Sequence, residues 1–398
     1  MSIDRIELPA SIPEDLAADV AKQAVHAARG VRSLRWDAER RVARVETDGD
    51  AEGGEALDKV RRLVTGMVAR YRPLPKKVLC TNARKDRGVL VGDIERRLAA
   101  RGFVRELGPG QVALSGPPLA FAKVLDARLA AIAKERFGAR EEAYPALIPA
   151  AVLHRCGYLA SFPHTATLVT HLAEDIDAID RFRKANRDAP SLVVPEPSAL
   201  AHPAACLSPA VCYHFYPSLE GSRIAAPLEV VTASGRCFRY ESRNMRGLDR
   251  LWDFEMREIV FCGAEAPVSA ARERAMEAAL SLACELDLDL RIESANDPFF
   301  SADYAQKTYW QARGDLKFEM LVAIPPADDG RPRATAAASF NLHEDFFGRT
   351  FRFDSNEGAA GFTGCAAWGL SRWVLAAFAQ HGLDPARWPE AWRSDVFA

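Results

Sequence analysis

Two stretches of the sequence carry residue types that suit a nucleotide. The first is Phe238-Arg239-Tyr240-Glu241, followed after a loop by the run from Arg250 through Phe254 to Glu258. Side chains alternate along a strand, so two adjacent antiparallel strands can present Arg239, Glu241 and Phe254 on one face. A guanidinium there grips a phosphate or carboxylate through paired N–H donors, and the ring stacks on a base. Arg243, Arg246 and Arg250 in the intervening loop could clamp further phosphates. The second stretch is Gly369-Leu370-Ser371-Arg372. Its glycine permits close backbone approach, and an arginine early in a helix meets an anion where the helix dipole also favours it. Either string alone is an ordinary strand or helix start. The chemistry lies in having both.

The elements that must hold these residues read as α+β. Two strand-rich runs, LEVVTASGRCFRYES and LWDFEMREIVFCG, flank the polar loop RNMRGLDR, the layout of an antiparallel hairpin. A helix, APVSAARERAMEAALSLACELDL, follows, then the strands LRIES, LKFEMLVAIP and ATAAASFNL. The run CAAWGLSRWVLAAFAQHG reads as a closing helix with a Gly-rich start. Upstream, GDIERRLAARGF and PLAFAKVLDARLAAIAKERFG read as helices, with QVALSG as a strand or turn between them. Strands and loops over 143–217 surround the polar helix THLAEDIDAIDRFRKANRD. An antiparallel sheet flanked by helices is therefore expected over 86–398.

Residues 1–75 read as a separate βαββα module. A strand near Ile6 to Leu8 precedes a helix starting near Pro13, with Ser11 as its cap. The strands VRSLRW and RVARVET and the helix EALDKVRRLVTGMVARY complete it. The string GVRSL faintly resembles the phosphopantetheine site of carrier proteins. Arg32 replaces the Asp of that site, so Ser33 reads as an ordinary strand serine. The module's charges are balanced and interspersed, with no basic arm for nucleic acid.

Composition narrows the function classes. Hydrophobic residues make up 48% and charged residues 27%, with a formal net charge of -2. Such a chain is no general polyanion binder. No apolar run approaches the ~20 residues that span a bilayer, and the N-terminus lacks the pattern of a secretion signal. The eight cysteines form no close pair and read as reduced thiols of a cytoplasmic protein, some of them candidate metal ligands.

In this order the two stretches resemble the second and third signature motifs of class II aminoacyl-tRNA synthetases. The spacing Arg250, Phe254, Glu258 is similar to the R-x-x-x-F-x-x-x-E of seryl-tRNA synthetases, and Asn341 to Phe346 is similar to the segment before their third motif. Six further strings narrow the resemblance: GYLASFP, LSPAVCYHFYP, ANDPFF, LKFEML, SFNLHEDFFG and TGCAAWGLSR. Together they resemble the bacterial amino acid:[carrier protein] ligases, which look like truncated seryl-tRNA synthetases of the methanogen type. The resemblance runs from about Val89 to Arg393 and leaves the N-terminal module outside.

That resemblance implies a class II synthetase-like fold and a defined chemistry. A small amino acid, glycine or alanine, is activated with ATP to an aminoacyl-adenylate and loaded on the phosphopantetheine thiol of a carrier protein. Arg239 and Arg372 would neutralise charge at the α-phosphorus. Phe254 would stack the adenine and Glu241 would take its amino group, with Arg250 and Glu319 also at the ATP. Asn341 and His343 would contact substrate. Cys212, Glu258 and Cys365 would hold zinc, whose open position takes the substrate amine. Magnesium would accompany ATP, although Thr335 stands where seryl-tRNA synthetases carry a magnesium-binding Glu. A long heptad arm is absent, which disfavours tRNA as partner. A homodimer is expected. Carrier proteins are acidic, so the helix bearing Arg272 and Arg274 and the polar helix near 180 are docking candidates. The alternatives are a seryl-tRNA synthetase-like enzyme charging tRNA or another amine, and a non-catalytic paralogue that binds an amino acid.

Overall fold

Alternation of apolar and polar residues sets the first sheet. In the computed structural model, which describes residues 2–8, 10–37, 39–48, 53–72, 76–84, 90–297, 299, 304–326 and 332–397, the N-terminal module comprises β1 (Ser2–Glu7), α1 (Glu14–Ala24), β2 (Val31–Trp36), β3 (Val42–Thr47) and α2 (Gly53–Arg70). The strands form an antiparallel sheet ordered β1-β3-β2. Ile6, Leu34, Ala43 and Val45 point inward onto Leu16, Val20, Val60 and Val64 of the two helices. Ser11 does not cap α1. Pro13 holds the cap position, and the Ser11 hydroxyl donates instead to the Glu39 carbonyl. Ser33 lies in β2 and donates to Glu46 at 3.0 Å.

The body starts earlier than residue 86, because β4 (Val78–Asn82) already edges the large sheet. It continues through α3 (Ile94–Ala100), the hairpin β5 (Val104–Gly108) and β6 (Gln111–Leu114), α4 (Gly116–Phe137) and the short β7 (Arg140–Glu141). Next come β8 (Leu147–Pro149), α5 (Ala150–Arg155), α6 (Tyr158–Ser161), β9 (Thr167–Val169), α7 (Ile176–Asn186) and β10 (Ala205–Leu207). Strands β8, β10 and β9 make a small sheet of their own. The remainder is β11 (Leu228–Phe238), β12 (Asp253–Gly263), α8 (Glu265–Glu285), β13 (Leu290–Ser294), α9 (Tyr304–Arg313), β14 (Lys317–Ile324), β15 (Arg333–Glu344), α10 (Phe346–Phe351), β16 (Phe362–Gly369), α11 (Leu370–His381) and α12 (Glu390–Val396).

Eight strands form the main sheet in the order β4-β13-β14-β15-β16-β12-β11-β7. Every pairing is antiparallel except β7 on β11. Helices α3, α4, α8, α11 and α12 pack on one face, and the resulting core takes Ile259, Phe261, Phe318, Phe340, Ala366 and Trp368 from the strands. The period of two then dictates the other face. It receives Glu258, Val260 and Cys262 of β12, Cys365 and Ala367 of β16, Asn341 of β15, and Lys317 and Glu319 of β14. Arg257 shows the parity from the opposite side: it turns to the helix layer and meets Asp126 of α4 at 2.7 Å.

Two sequence expectations are corrected here. The run Cys365-Ala-Ala-Trp-Gly is not the start of the last helix; it is strand, and α11 begins at Leu370. Alanines favour helix, but β12 and β15 pair with this segment on both sides and satisfy its backbone groups. Gly364 belongs to that fit, since a Cβ there would lie 2.8 Å from the Asn341 carbonyl oxygen. The second correction concerns α8. Its buried stripe runs Val268, Ala271, Arg272, Ala275, Ala279, so Arg272 is covered. Its guanidinium donates to the Asp315 carbonyl and Glu273 and lies over Phe318, while Arg274 lies over Phe137. Arg272 therefore offers no free charge to a carrier, while Arg274 stays exposed. Among the described residues no helix is long and apolar enough to cross a membrane.

Candidate active site

A cavity of about 270 Å³ opens on the face of the sheet away from the large helices. Eleven of the residues singled out from the sequence for nucleotide, substrate and metal line it: Arg239, Glu241, Arg250, Phe254, Glu319 and Arg372; Asn341 and His343; Cys212, Glu258 and Cys365. Arg243 and Arg246 do not. Arg243 pairs with Asp48 at 2.9 Å and Arg246 pairs with Asp249.

At the deep end lies a set of three acids. Cys212 follows the small sheet in a single helical turn, Glu258 lies mid-strand in β12, and Cys365 lies on the neighbouring strand β16, opposite Val260. One ligand atom from each falls within 4.8 Å of the others, and all three residues are buried. The Glu258 carboxylate accepts the backbone N–H of Val211 at 2.8 Å and of Cys212 at 3.1 Å. Burial, and then the charge on Cys365, pushes its carboxyl up to about 7. The hydrogen bond to Cys365 raises the Cys212 thiol and lowers Cys365, so one sulfur holds the proton and the other accepts it. Asn341 also donates to the Cys365 sulfur at 3.4 Å, and His343 Nε2 lies 3.8 Å from it. Among the described residues no lysine or arginine forms an ion pair with Glu258. Two thiols and a carboxylate buried without a counter-cation fit a divalent ion, because binding replaces shared protons with positive charge.

At the other end are the groups suited to a nucleotide. Strand β11 stops at Phe238, so Arg239 and Glu241 lie just beyond the strand, yet both reach the cavity wall. Arg239 is anchored by a bond from Nε to the Pro209 carbonyl at 3.0 Å, and its guanidinium centre lies 5.5 Å from the Phe254 ring centroid. Glu241 accepts from Arg250 at 2.9 Å. Burial raises the Glu241 carboxyl, but Arg250, with Arg372 and Arg239 behind it, brings it below its usual value. Arg372 enters from the first turn of α11. Its Nε donates to the Asp249 carbonyl at 2.7 Å and its Nη1 to the Ala336 carbonyl at 2.9 Å. Two carbonyls fix the fork and leave the other guanidinium donors free to face an anion.

Three cavity groups escaped the sequence reading. Lys317 is buried and paired with Asp297 and, at 3.1 Å, with Glu319. Both carboxylates hold it protonated against the opposing effect of burial. Gln311 of α9 donates to Asp297 at 2.7 Å. The available signal was the Lys-x-Glu spacing of LKFEML, which puts both side chains on one strand face. Asp249 is the third. Thr335 donates to the Asp249 carboxylate. Asp249 belongs to the β11–β12 loop, and Arg246 and Arg333 also pair with it.

Burial alone would raise the Asp249 carboxyl. Arg372, Thr335 and Arg246 overcome that and hold it at about 2, below the ordinary 3.8. A depressed folded-state value stabilises the fold above about pH 4, and the contribution is lost as pH falls through about 2. Asp249→Asn should thus cost about 2 kcal/mol near neutrality. Urea unfolding at several pH values should show the gap to the parent closing between about pH 4 and pH 2.

The N-terminal module meets the rim of this cavity. Asp48 pairs with Arg243, the Lys22 carbonyl accepts from Asn244 at 2.9 Å, and the His26 and His164 rings lie 4.8 Å apart. Gln23 donates to the Phe299 carbonyl at 3.0 Å. Phe299 packs into the module's core and stacks at 5.2 Å on Phe162, which lines the cavity.

No family model matches the chain. An amino acid–[acyl-carrier-protein] ligase 2 of Bradyrhizobium diazoefficiens is 40% identical to it over 261 residues, covering 63% of this chain and 72% of that protein. A type-2 serine–tRNA ligase of Methanopyrus kandleri is 27% identical over 360 residues, covering 84% of this chain and 67% of the relative. The crystal structure of M. kandleri SerRS in complex with A. aeolicus tRNASec superposes with a TM-score of 0.71 at 24% identity, over 99% of this chain and 77% of that one. The fold is thus shared with a seryl-tRNA synthetase.

Proposed function

The chain belongs to the amino acid–[acyl-carrier-protein] ligase family, and on that premise we propose that it activates a small amino acid, glycine or alanine, with ATP and transfers it to the phosphopantetheine thiol of a carrier protein. The observation that carries the finer reading is the single cavity in which a buried Cys-Glu-Cys set and a pair of carbonyl-anchored arginines face the same space.

In the first half-reaction a carboxylate oxygen of the amino acid attacks the α-phosphorus of ATP. The bond to the bridging oxygen breaks and pyrophosphate leaves. No protein nucleophile is needed, so catalysis is placement and charge neutralisation. Arg239 and Arg372 supply donors that are already oriented by Pro209, Asp249 and Ala336. Phe254 offers the face for adenine, and Glu241, ionised through Arg250, accepts from its amino group. Lys317 and Glu319 border the space between the two ends. In the second half-reaction a pantetheine sulfur attacks the adenylate carbonyl, AMP departs, and the thiol proton leaves with solvent.

Cys212, Glu258 and Cys365 hold zinc in this reading; when bound, the ion supplies an open coordination position for an unprotonated substrate amine. Asn341 steadies the Cys365 sulfur from outside the set, and His343 lies beside it. Magnesium arrives with ATP. A homodimer and cytoplasmic residence complete the proposal.

The test is ATP–pyrophosphate exchange across the amino acids, with metal content measured on the same sample. Glycine or alanine should drive exchange in zinc-containing protein. Exchange with none of glycine, alanine and serine would remove the reading. One observation favours a second acceptor: the match to a serine–tRNA ligase spans 84% of the chain against 63% for the ligase. Stable label on bulk tRNA, with none on a carrier, would favour that acceptor.

A further inference from the structure

Strand register in the N-terminal module brings together what the sequence keeps apart. Arg5 of β1 lies opposite Arg44 of β3, and Arg44 lies opposite Arg35 of β2. All three side chains are exposed, on the face of the sheet away from α1 and α2. They form one rung of three guanidiniums across the sheet. Like charges directly opposite one another destabilise a sheet. Among the described residues none of the three has an ion pair or side-chain hydrogen bond, whereas nearby Arg32 is neutralised by Asp48. The adjacent rungs do not continue the charge. One holds Ile3, 71% exposed, beside Glu46 and Ser33, and the other holds Glu7 beside Val42.

The dimensions choose the partner. Strands lie about 4.8 Å apart, so the rung spans about 10 Å. That is the width of one α-helix with its side chains. A rung of three cations bounded by Glu7 and Glu46 suits a short acidic helix. It does not suit an RNA backbone, which rewards many phosphate contacts and an extended basic surface. The surface also has a fixed relation to the cavity. From Arg44 in β3 to Asp48 just past its end, the chain covers about 13 Å at strand rise. Asp48 then pairs with Arg243, in the loop that carries Glu241 and Arg250.

We propose that the Arg5–Arg44–Arg35 rung is a docking surface for an acidic helix of the carrier protein, placing the carrier beside the cavity mouth. This rests on the ligase reading above. Docking on the module and chemistry in the cavity are separate steps, so each can fail alone.

The experiment compares the parent, Arg44→Gln and the triple variant Arg5→Glu/Arg35→Glu/Arg44→Glu. The acceptors are a phosphopantetheinylated acyl-carrier protein and free pantetheine. The triple variant should raise the KM for the carrier at least tenfold, and Arg44→Gln about threefold. Exchange and transfer to free pantetheine should stay within twofold of the parent in both. An unchanged carrier KM in a folded triple variant overturns the proposal. Should circular dichroism show that the triple variant misfolds, the Arg44→Gln value decides. A parent that binds duplex RNA, with the triple variant losing RNA but keeping its carrier KM, also overturns it. A parent without exchange activity sinks the ligase reading instead. Docking is then read by fluorescence anisotropy of labelled carrier protein: loss of binding in the triple variant supports the rung, and equal or absent binding rejects it.

Discussion

Cys365→Ala should lose zinc and amino-acid activation together while the protein stays folded. The substituted side chain is small and buried between β12 and β15, where it faces Val260 and Asn341. Alanine removes one sulfur and about 1 kcal/mol of packing, far too little to unfold a chain of this size. The other two donors remain within reach of one another, but a carboxylate and a single thiol hold zinc poorly. Even loss of an outer-sphere partner costs 10- to 100-fold in metal affinity or activity, so loss of a ligand should cost at least ~100-fold in glycine-dependent exchange. Zinc per chain should fall from near one to near zero, and the thermal midpoint of the apo proteins should barely move. A Cys365→Ala protein that exchanged pyrophosphate at the parent's rate would end the metal assignment.

Arg372→Ala should give the complementary result: zinc retained, nucleotide use lost. Two backbone carbonyls fix the guanidinium before ATP arrives, and the Asp249 carboxylate lies close enough to interact with its charge. A preoriented donor aimed at developing charge contributes about 2.7–4 kcal/mol to a transition state. Exchange should therefore fall 10²- to 10³-fold, with the larger part in kcat. Arg372→Lys should recover little, because an ammonium cannot satisfy two carbonyls and a phosphate in one plane. Equal exchange in Arg372→Ala and parent would remove this residue from the reaction. Metal analysis separates the two variants, since only Cys365→Ala should lose zinc.

Much of the body was legible in the sequence because its elements announce themselves locally. The hairpin around 238–254 and the helices α4 and α8 follow alternation and helical stripe respectively. The cavity residues were legible for a different reason: the motif strings preserve their order, and all of them line one cavity. What sequence could not supply is pairing. Cys365 to Gly369 read as helix because alanine favours helix, but two neighbouring strands outvoted it. Arg272 read as a free surface charge, yet it falls within the buried stripe of α8 and lies over Phe318. Asp249 went unnoticed because its partner Thr335 is distant in the chain. Balanced charges over the module concealed the arginine rung for the same reason: composition counts charges and register places them.

Cys365 and Arg372 are carried by one uninterrupted segment, strand β16 running straight into α11. From Cys365 to Gly369 the backbone is extended over ~13 Å, and hydrogen-bonded ladders on both sides keep it from stretching or shortening. On the proposed function, this segment fixes in peptide units the separation between the group that takes the substrate amine and the group that meets the phosphate, so a substrate whose amine and carboxylate stand one carbon further apart should fit poorly.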